Sequence, residues 1–261
     1  MKSIKLILCS CFLMAVGCAF AQTPQTIEAD LLKSFKKIAY WDERRGDAGV
    51  DDSLEHANDE FSSQLQSITK KYPYTINQPF KSVANSGLII TTSDDGSLRI
   101  YSWDTALGGT MRKFKNLVQY KSGPITRSII LVTDSGGYEP FYSGLYKVKT
   151  GKITYYIGVN IGILSSAYIT QGVKVFAIAQ GKLDPNAKLI KTKSGLNNSL
   201  DIDSDLSASV NHGIAAQPDL TFDIKTQTIK IPLITAEGGI TNKFITYKFN
   251  GQYFEKVTLA E

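Results

Sequence analysis

The chain has 261 residues, of which 43% are hydrophobic, and carries 29 lysines and arginines against 24 aspartates and glutamates. This length accommodates one large β domain, or such a domain preceded by a small helical segment. Removing Lys2 and Lys5 from the count leaves 27 basic against 24 acidic residues, a balance too even to favour nucleic acid as a partner. All three cysteines (Cys9, Cys11 and Cys18) lie near the start, so a cysteine nucleophile or a thiolate metal site is excluded from residue 22 onward.

Residues 1–21 have the three parts of a secretory signal peptide. Two lysines precede an apolar run over 6–16, and Ala19-Phe20-Ala21 follows as the cleavage site. The apolar run is shorter than the roughly 20 residues that a transmembrane segment needs. We therefore expect export to the periplasm or the cell exterior, with cleavage after Ala21. The alternative is a lipid anchor on Cys18, because Ala15-Val16-Gly17-Cys18 resembles a loose lipoprotein box.

Residues 22–82 are predicted to form a helical hairpin. From Thr26 to Tyr40 the apolar residues recur at helical spacing, with lysines away from that stripe. A second helix is predicted to start at Asp52, which has capping-box spacing to Glu55, and to end before Tyr72-Pro73. Two such helices cannot bury their stripes against each other alone, so we expect the hairpin to pack on the following domain.

Residues 83–261 are predicted to be an antiparallel β domain, because the hydrophobic period changes there from 3.6 to 2. Asn250-Gly251, between two aromatic runs, is the strongest hairpin signal, and Pro232 indicates an edge strand or a bulge. The predicted fold is mainly β with an N-terminal helical hairpin, arranged as a propeller-like antiparallel meander or, alternatively, a two-sheet sandwich. The predicted strands are Leu88–Thr92, Leu98–Trp103, Phe114–Tyr120, Ser128–Thr133, Gly144–Val148, Ile153–Val159, Val173–Ala179, Leu189–Thr192, Leu220–Ile224, Ile229–Ile234, Phe244–Phe249 and Tyr253–Thr258.

One segment combines a tight turn with a strand of mixed character. It runs from Ser93 to Asp104 and is closed by Gly108-Gly109-Thr110, and its Asp95-Gly96 pair supplies the positive-φ positions of a hairpin turn. The pattern SxDGxLRIYSWD…GGT resembles a segment in a group of uncharacterised exported bacterial proteins. Residues 175–178 and 244–257 are similar to the same group. The resemblance implies a β architecture and brings no activity with it.

Within that strand, alternation places Arg99, Tyr101 and Trp103 on one face, and Asp104 ends the strand. An exposed face of aromatic and cationic side chains is typical of a surface that binds a glycan or a peptide. If this face is exposed, these four residues are the predicted ligand-binding residues. The interpretation that we favour is that the face fills the core between two layers, as Tyr and Trp side chains commonly do.

Other polar residues are interpreted structurally. His56 and His212 have neither a nucleophile motif nor paired metal-binding spacing, and are expected on a helix surface and in a loop. Asp201-Ile202-Asp203-Ser204-Asp205 begins like a calcium loop but has Leu206 where the turn needs Gly, which favours an exposed strand edge with its aspartates on one face. The carboxylates at strand ends and loops are Asp94, Asp95, Asp104 and Glu139.

We assign no catalytic residue, metal site or cofactor from the sequence. The leading hypothesis is an exported cell-envelope protein that is a non-enzymatic binding or inhibitor-like protein, with an envelope protein, a peptide or a glycan as partner. Two alternatives stay open. One is an envelope hydrolase whose carboxylates converge only in three dimensions, and the other is a structural module that docks through its helical hairpin.

Overall fold

The protein is described here from a computed structural model over residues 23–132, 137–148, 150, 153–205, 219–234 and 240–257. The expectations about the signal peptide, the lipid on Cys18 and His212 lie outside these residues. No helix in the described ranges is both long and apolar enough to cross a bilayer.

The two predicted helices are present, with earlier starts than expected. Helix α1 spans Pro24–Asp42, and the Thr23 hydroxyl oxygen caps it by accepting a hydrogen bond from the Thr26 N–H at 3.2 Å. Helix α2 spans Val50–Lys71 and follows Gly49, whose φ of 76° is left-handed. The predicted capping box at Asp52 is therefore wrong, because Asp52 already lies in the first turn of the helix. Its negative charge there interacts favourably with the helix dipole.

A short 3₁₀ turn at Pro73–Asn77 and helix α3 (Lys81–Ala84) connect the helices to the strands. The strands are β1 Ile89–Thr92, β2 Leu98–Asp104, β3 Phe114–Ser122, β4 Ile125–Ile130, β5 Phe141–Val148, β6 Thr154–Ile163, β7 Tyr168–Ala179, β8 Lys182–Asp184, β9 Ile190–Thr192, β10 Gly195–Asn197, β11 Ser199–Asp205, β12 Thr221–Asp223, β13 Thr228–Ile234, β14 Ile240–Phe249 and β15 Phe254–Val257. The mainly β fold with a pair of N-terminal helices is thus confirmed.

The described strands form three sheets. Sheet A has the order β1-β2-β3-β4, sheet B has β11-β7-β6-β5 with β8 added to β7, and sheet C has β10-β9-β15-β14-β13-β12. Neighbouring strands are antiparallel except β15 and β9, which run parallel. The prediction of a fully antiparallel domain is therefore wrong at this one pair. There β15, near the end of the chain, lies beside β9 from the middle of the chain.

The helices and the sheets stack as successive layers. One core cluster joins α1 and α2 to Tyr101, Trp103 and Leu117 of sheet A. A second joins the opposite face of sheet A, including Ile100, to sheet B, and a third joins sheet B to sheet C, where Phe254 is fully buried. The expectation of a propeller-like arrangement is wrong, because the sheets pack face to face. The alternative of a sandwich is correct in kind, with three sheets instead of two.

Two local predictions are confirmed. Asn250 and Gly251 connect β14 to β15, with Gly251 at φ 100° and the Asn250 side-chain oxygen accepting the Gln252 N–H at 2.9 Å. The register of β13 against β14 shifts between Pro232 and Ile234, an interruption of the ladder at the position that the proline indicated.

Candidate functional site

Arg99, Tyr101 and Trp103 share one face of β2, as predicted, but that face lies beneath the helices. Tyr101 and Trp103 have no solvent exposure, and Arg99 is 6% exposed. This face is therefore a core face, as the favoured interpretation expected, and the alternative of an exposed ligand-binding face is contradicted by its burial. The physical reason is that α1 and α2 need an apolar surface to cover their stripes, and β2 supplies it.

Trp103 links the helical pair to the loop after β2. Its ring packs edge-on against Phe61 of α2 at 5.2 Å, and its indole N–H donates to the Asn58 side-chain oxygen at 3.0 Å. The Asn58 amide in turn donates to the carbonyl oxygens of Leu54 and Thr105 at 2.9 and 2.8 Å. Each polar side-chain atom in this buried set of hydrogen bonds therefore has a partner. Together the bonds hold the loop at Thr105 against α2.

Tyr101 and Arg99 connect β2 to the neighbouring strand β3 and to the 3₁₀ turn. The Tyr101 hydroxyl donates to the Gln119 side-chain oxygen at 2.9 Å, and burial raises the pKa of Tyr101 to about 12, although the nearby Arg99 lowers it. The Arg99 guanidinium donates to the Thr75 carbonyl oxygen at 3.1 Å and to the Gln78 carbonyl oxygen. Backbone oxygens thus compensate the buried charge of Arg99, and the same hydrogen bonds hold β2 against the 3₁₀ turn.

The Asp95-Gly96 turn joins sheet A to sheet B. The Asp95 carboxylate accepts hydrogen bonds from the Ser93 hydroxyl at 2.7 Å and the Ser97 N–H at 3.0 Å, and it pairs with the Lys147 ammonium at 3.0 Å. Burial alone would raise the pKa of Asp95, but these three donors together lower it below its ordinary value. Gly96 has φ 61°, as a tight turn requires.

Asp104, the fourth predicted ligand residue, is partly exposed and has partners within the chain. It forms an ion pair with Arg112 at 2.8 Å, and its other oxygen accepts the N–H of Ala106, which has φ 57°. Gly108 is required in the same loop, because a Cβ there would overlap the Met111 carbonyl oxygen. Asp104 therefore shapes the loop 105–113, and it also lines a cavity of about 320 Å³ beside Phe35 of α1.

A wide concave feature lies next to this loop. We call it the α2–β4 groove, and its volume of about 880 Å³ is in the range of ligand-binding sites. It lies where the N-terminal half of α2 meets the loop and the adjoining ends of β3 and β4. Its lining comprises Arg45, Asp51, Glu55, Asn58, Asp59, Thr105, Leu107, Gly108, Gly109, Lys113, Phe114, Lys115, Ile130, Leu131, Val132 and Glu139.

The groove has charged walls that face each other. Asp59 on α2 forms an ion pair with Lys115 on β3 at 3.0 Å, which shows how closely the two walls approach. Within the described ranges, Asp51, Glu55 and Lys113 have no ion-pair partner. The groove thus presents free charges of both signs at its surface.

The other carboxylates considered from the sequence do not meet in one site. Asp94 and Asp95 lie at the turn before β2, and Asp104 lies at the opposite end of that strand. Glu139 lines the α2–β4 groove. The turn with Asp94 and Asp95 is therefore separated from Asp104 by the length of β2.

The aspartates of residues 201–205 lie on β11, an edge strand of sheet B, and alternate with Ile202 on the other face. This confirms the predicted strand edge with its aspartates on one face. The Tyr138 hydroxyl donates to Asp201, whose partial burial raises the pKa of its carboxyl group although this hydrogen bond lowers it. No cluster of three or more metal-binding side chains is found in the described part of the chain. His56 is exposed on α2, as expected.

Sequence reasoning missed the groove residues Asp51, Glu55 and Lys113. Asp51, Glu55 and Asp59 follow one another at intervals of four, which places them on one face of a helix. That spacing was the available signal. The spacing could not show that this face of α2 borders the same groove as the lysines that follow β2.

No protein-family model, no curated protein and no solved structure matches this chain. The resemblance of the segment from Ser93 to Asp104 to exported bacterial proteins therefore stays a prediction.

Proposed function

We propose that this protein is an exported, non-enzymatic binding protein of the cell envelope and that its ligand occupies the α2–β4 groove. The observation that carries the proposal is a groove lined by charges of both signs without an ion-pair partner among the described residues, Asp51 and Glu55 from α2 and Lys113 from the loop after β2. Unpaired charges around a concave surface are available to orient a polar ligand. Export rests on the three-part leader at residues 1–21.

The groove walls are held in place by the segment around Trp103. Asn58 lies in the groove lining, and its side chain is fixed by Trp103 and by the Thr105 carbonyl oxygen. The Thr105 N–H and hydroxyl both donate to the Lys113 carbonyl oxygen at 2.8 Å, which closes the base of the loop. A site that is ordered before binding loses less conformational entropy when the ligand arrives. This supports a binding role for the groove.

The test is to probe the chain 22–261 on arrays of envelope glycans and of peptides, beside variants that reverse one wall at a time. Glu55→Lys and Lys113→Glu change opposite walls of the groove, and Lys230→Glu, on an exposed position of β13, is the control. We expect binding on one array that weakens by about tenfold or more in both groove variants and is unchanged in the control. Binding that survives both groove variants, or binding to neither array, contradicts the proposal.

The alternative of an envelope hydrolase is favoured by one observation. Glu139 lies far in the chain from Asp51 and Glu55 of α2, yet the three residues line the same groove, and glycoside hydrolysis uses two carboxyl groups about 5–9.5 Å apart. Release of shortened glycans during the array incubation, lost in Glu55→Gln, would identify a hydrolase in place of a binding protein.

A further inference from the structure

A second concave feature lies on sheet C, and we call it the β9–β15 cleft. Its volume of about 610 Å³ is in the range of ligand-binding sites. It shares no lining residue with the α2–β4 groove, so it is a separate site. Its lining comprises Lys191, Thr192, Lys193, Ser194, Tyr247, Glu255 and Lys256.

The cleft opens where β9 separates from β15. The parallel ladder between these strands joins Ile190 to Phe254 and Lys191 to Glu255. Beyond this point β15 continues beside β14, whereas the chain after β9 turns back into β10. Glu255 and Lys256 point to opposite faces of the sheet, as successive residues of a strand do, and both line the cleft. This is the arrangement expected of a gap between two diverging strands.

The charged groups of the cleft are open to solvent. Lys191, Lys193, Glu255 and Lys256 are exposed. Tyr247 is partly buried and packs against the core between sheets B and C, so it forms an aromatic wall behind them. A ligand can therefore reach the ammonium groups without a rearrangement of the sheet.

Positive charge predominates in this lining. Within the described ranges, Lys191, Lys193 and Lys256 form no ion pair, and the Glu255 carboxylate accepts the Asn250 side-chain amide at 3.0 Å. A cleft with one predominant sign of charge concentrates counter-ions. Lysines often protect the edge strands of a sheet. That role does not explain Lys191 and Lys256, because β9 and β15 lie inside the order β10-β9-β15-β14.

The amount of charge matches a phosphate group. Three ammonium groups and one carboxylate leave two positive charges in the lining. A phosphate monoester carries a charge of about −1.5 to −2 at pH 7, whereas a single carboxylate would balance half of the excess. The charge therefore favours a phosphate over a carboxylate as the ligand.

Parts of the lining are held in place by hydrogen bonds within sheet C. The Lys191 ammonium donates to the Tyr253 hydroxyl at 3.1 Å, and this hydrogen bond raises the pKa of Lys191. The Thr192 hydroxyl oxygen accepts the Ser194 N–H at 3.3 Å and the Asn197 side-chain amide at 2.6 Å, which orders the turn after β9. An ordered site loses less conformational entropy when a ligand binds.

We propose that the β9–β15 cleft binds a phosphate group, carried by a soluble molecule or by a lipid headgroup, through the ammonium groups of Lys191, Lys193 and Lys256. Lysine binds phosphate as a point charge, and the Ser194 hydroxyl is a further donor in the lining. The cleft is wider than a phosphate ion alone requires, which leaves room for the organic part beside Tyr247. This site is additional to the ligand of the α2–β4 groove and does not depend on it.

The first test is isothermal titration calorimetry of the chain 22–261 at low salt with phenyl phosphate as the probe. Benzoate is the control ligand, because it keeps the ring and carries a single negative charge. We expect phenyl phosphate to bind at least about fivefold more tightly than benzoate, and we expect its affinity to fall as salt is added.

The second test changes the lysines. The double variant Lys193→Gln with Lys256→Gln should weaken binding of phenyl phosphate by about tenfold or more, because it removes two of the three ammonium groups. The double variant Lys225→Gln with Lys230→Gln is the matched control. Both of its positions are exposed near or on β13, lie outside the cleft lining and change the net charge equally. We expect this control to change binding by less than about twofold.

A third variant should act in the opposite direction. Glu255→Gln removes the one carboxylate of the lining and keeps an oxygen that can accept the Asn250 amide. We expect it to bind phenyl phosphate about threefold more tightly or better, because the positive charge of the cleft increases. A gain in affinity cannot result from partial unfolding.

Sedimentation with phosphatidylcholine vesicles, with and without phosphatidic acid, distinguishes the two sources of the phosphate. Binding to the vesicles with phosphatidic acid that is lost in Lys193→Gln with Lys256→Gln supports a headgroup ligand. Phenyl phosphate binding with the same dependence and no vesicle binding supports a soluble one. Equal weakening by the two lysine double variants, equal affinity for phenyl phosphate and benzoate, or no binding of either phosphate probe overturns the proposal.

Discussion

At the scale of single residues, the aromatic and charged side chains of β2 act as connectors between layers. Trp103 contacts Phe61 of α2 and hydrogen-bonds Asn58, which in turn holds Thr105. The side chain that stood out in the sequence as a candidate ligand platform thus stabilises one wall of the α2–β4 groove. Trp103 acts on that wall through the position of Asn58.

We expect Trp103→Ala to lower the free energy of unfolding by about 3–5 kcal/mol, because the lost burial adds to a cavity that relaxes only in part. Trp103→Phe should lie between this variant and the parent protein, since it keeps most of the packing but removes the donor to Asn58, at a cost of about 1–3 kcal/mol. Tyr40→Ala is the control, because Tyr40 is 48% exposed on α1, and it should change stability by within about 0.5 kcal/mol. Equilibrium denaturation in urea measures all three, and a fully stable Trp103→Ala protein would contradict the core assignment.

At the scale of secondary-structure elements, β6 is shaped by a glycine that makes room for aromatic rings. A Cβ at Gly158 would lie 2.8 Å from the Phe176 ring and 2.9 Å from the Tyr142 ring. Glycine weakens a strand in general. Here its lack of a side chain allows two large rings to fill the space between sheets A and B, so the element is adapted to its layer.

The corresponding prediction is that Gly158→Ala lowers the free energy of unfolding by about 1–3 kcal/mol, because the added methyl group overpacks two buried rings. Gly109→Ala is the matched control, since a Cβ at Gly109 meets nothing within 4 Å and the residue has no positive φ. Thermal and urea unfolding should separate the two variants clearly. Equal stability of the two would mean that the rings beside Gly158 move aside at little cost.

At the scale of the whole molecule, each inner layer is covered on both sides. Sheet A lies between the helices and sheet B, and sheet B lies between sheets A and C. The division into a helical part (22–82) and a β part (83–261) follows the secondary structure. It does not separate two cores, because one apolar cluster includes both α2 and β2.

We therefore expect the chain 22–261 to unfold in one cooperative transition and the fragment 83–261 to lack one. Removing α1 and α2 would expose Tyr101, Trp103 and Leu117, which are fully buried in the whole chain. Near-ultraviolet circular dichroism and dye binding to exposed apolar surface measure this directly. A fragment that unfolds cooperatively and does not bind the dye would show that the β part is an independent domain.

Sequence patterns predicted the elements well where the signal was local. Strand β2 was expected at Leu98–Trp103 and spans Leu98–Asp104, and α2 was placed within two residues of its true start. The short strands β8 and β10 were missed because three residues carry too little periodicity to be recognised. The site was missed because its charged residues come from α2 and from the loop after β2.

The amino-acid sequence by itself determined the mainly β class, the helical pair and the face of β2 on which Arg99, Tyr101 and Trp103 lie. Hydrophobic period and turn chemistry act between neighbours in the chain, so they can be read without a structure. The tertiary structure alone decided that this face is covered by α1 and α2 and that Glu55 and Lys113 line the same groove. The hydrophobic period indicates which side chains share a face of a helix or strand. Which layer packs against that face depends on contacts between residues far apart in the chain.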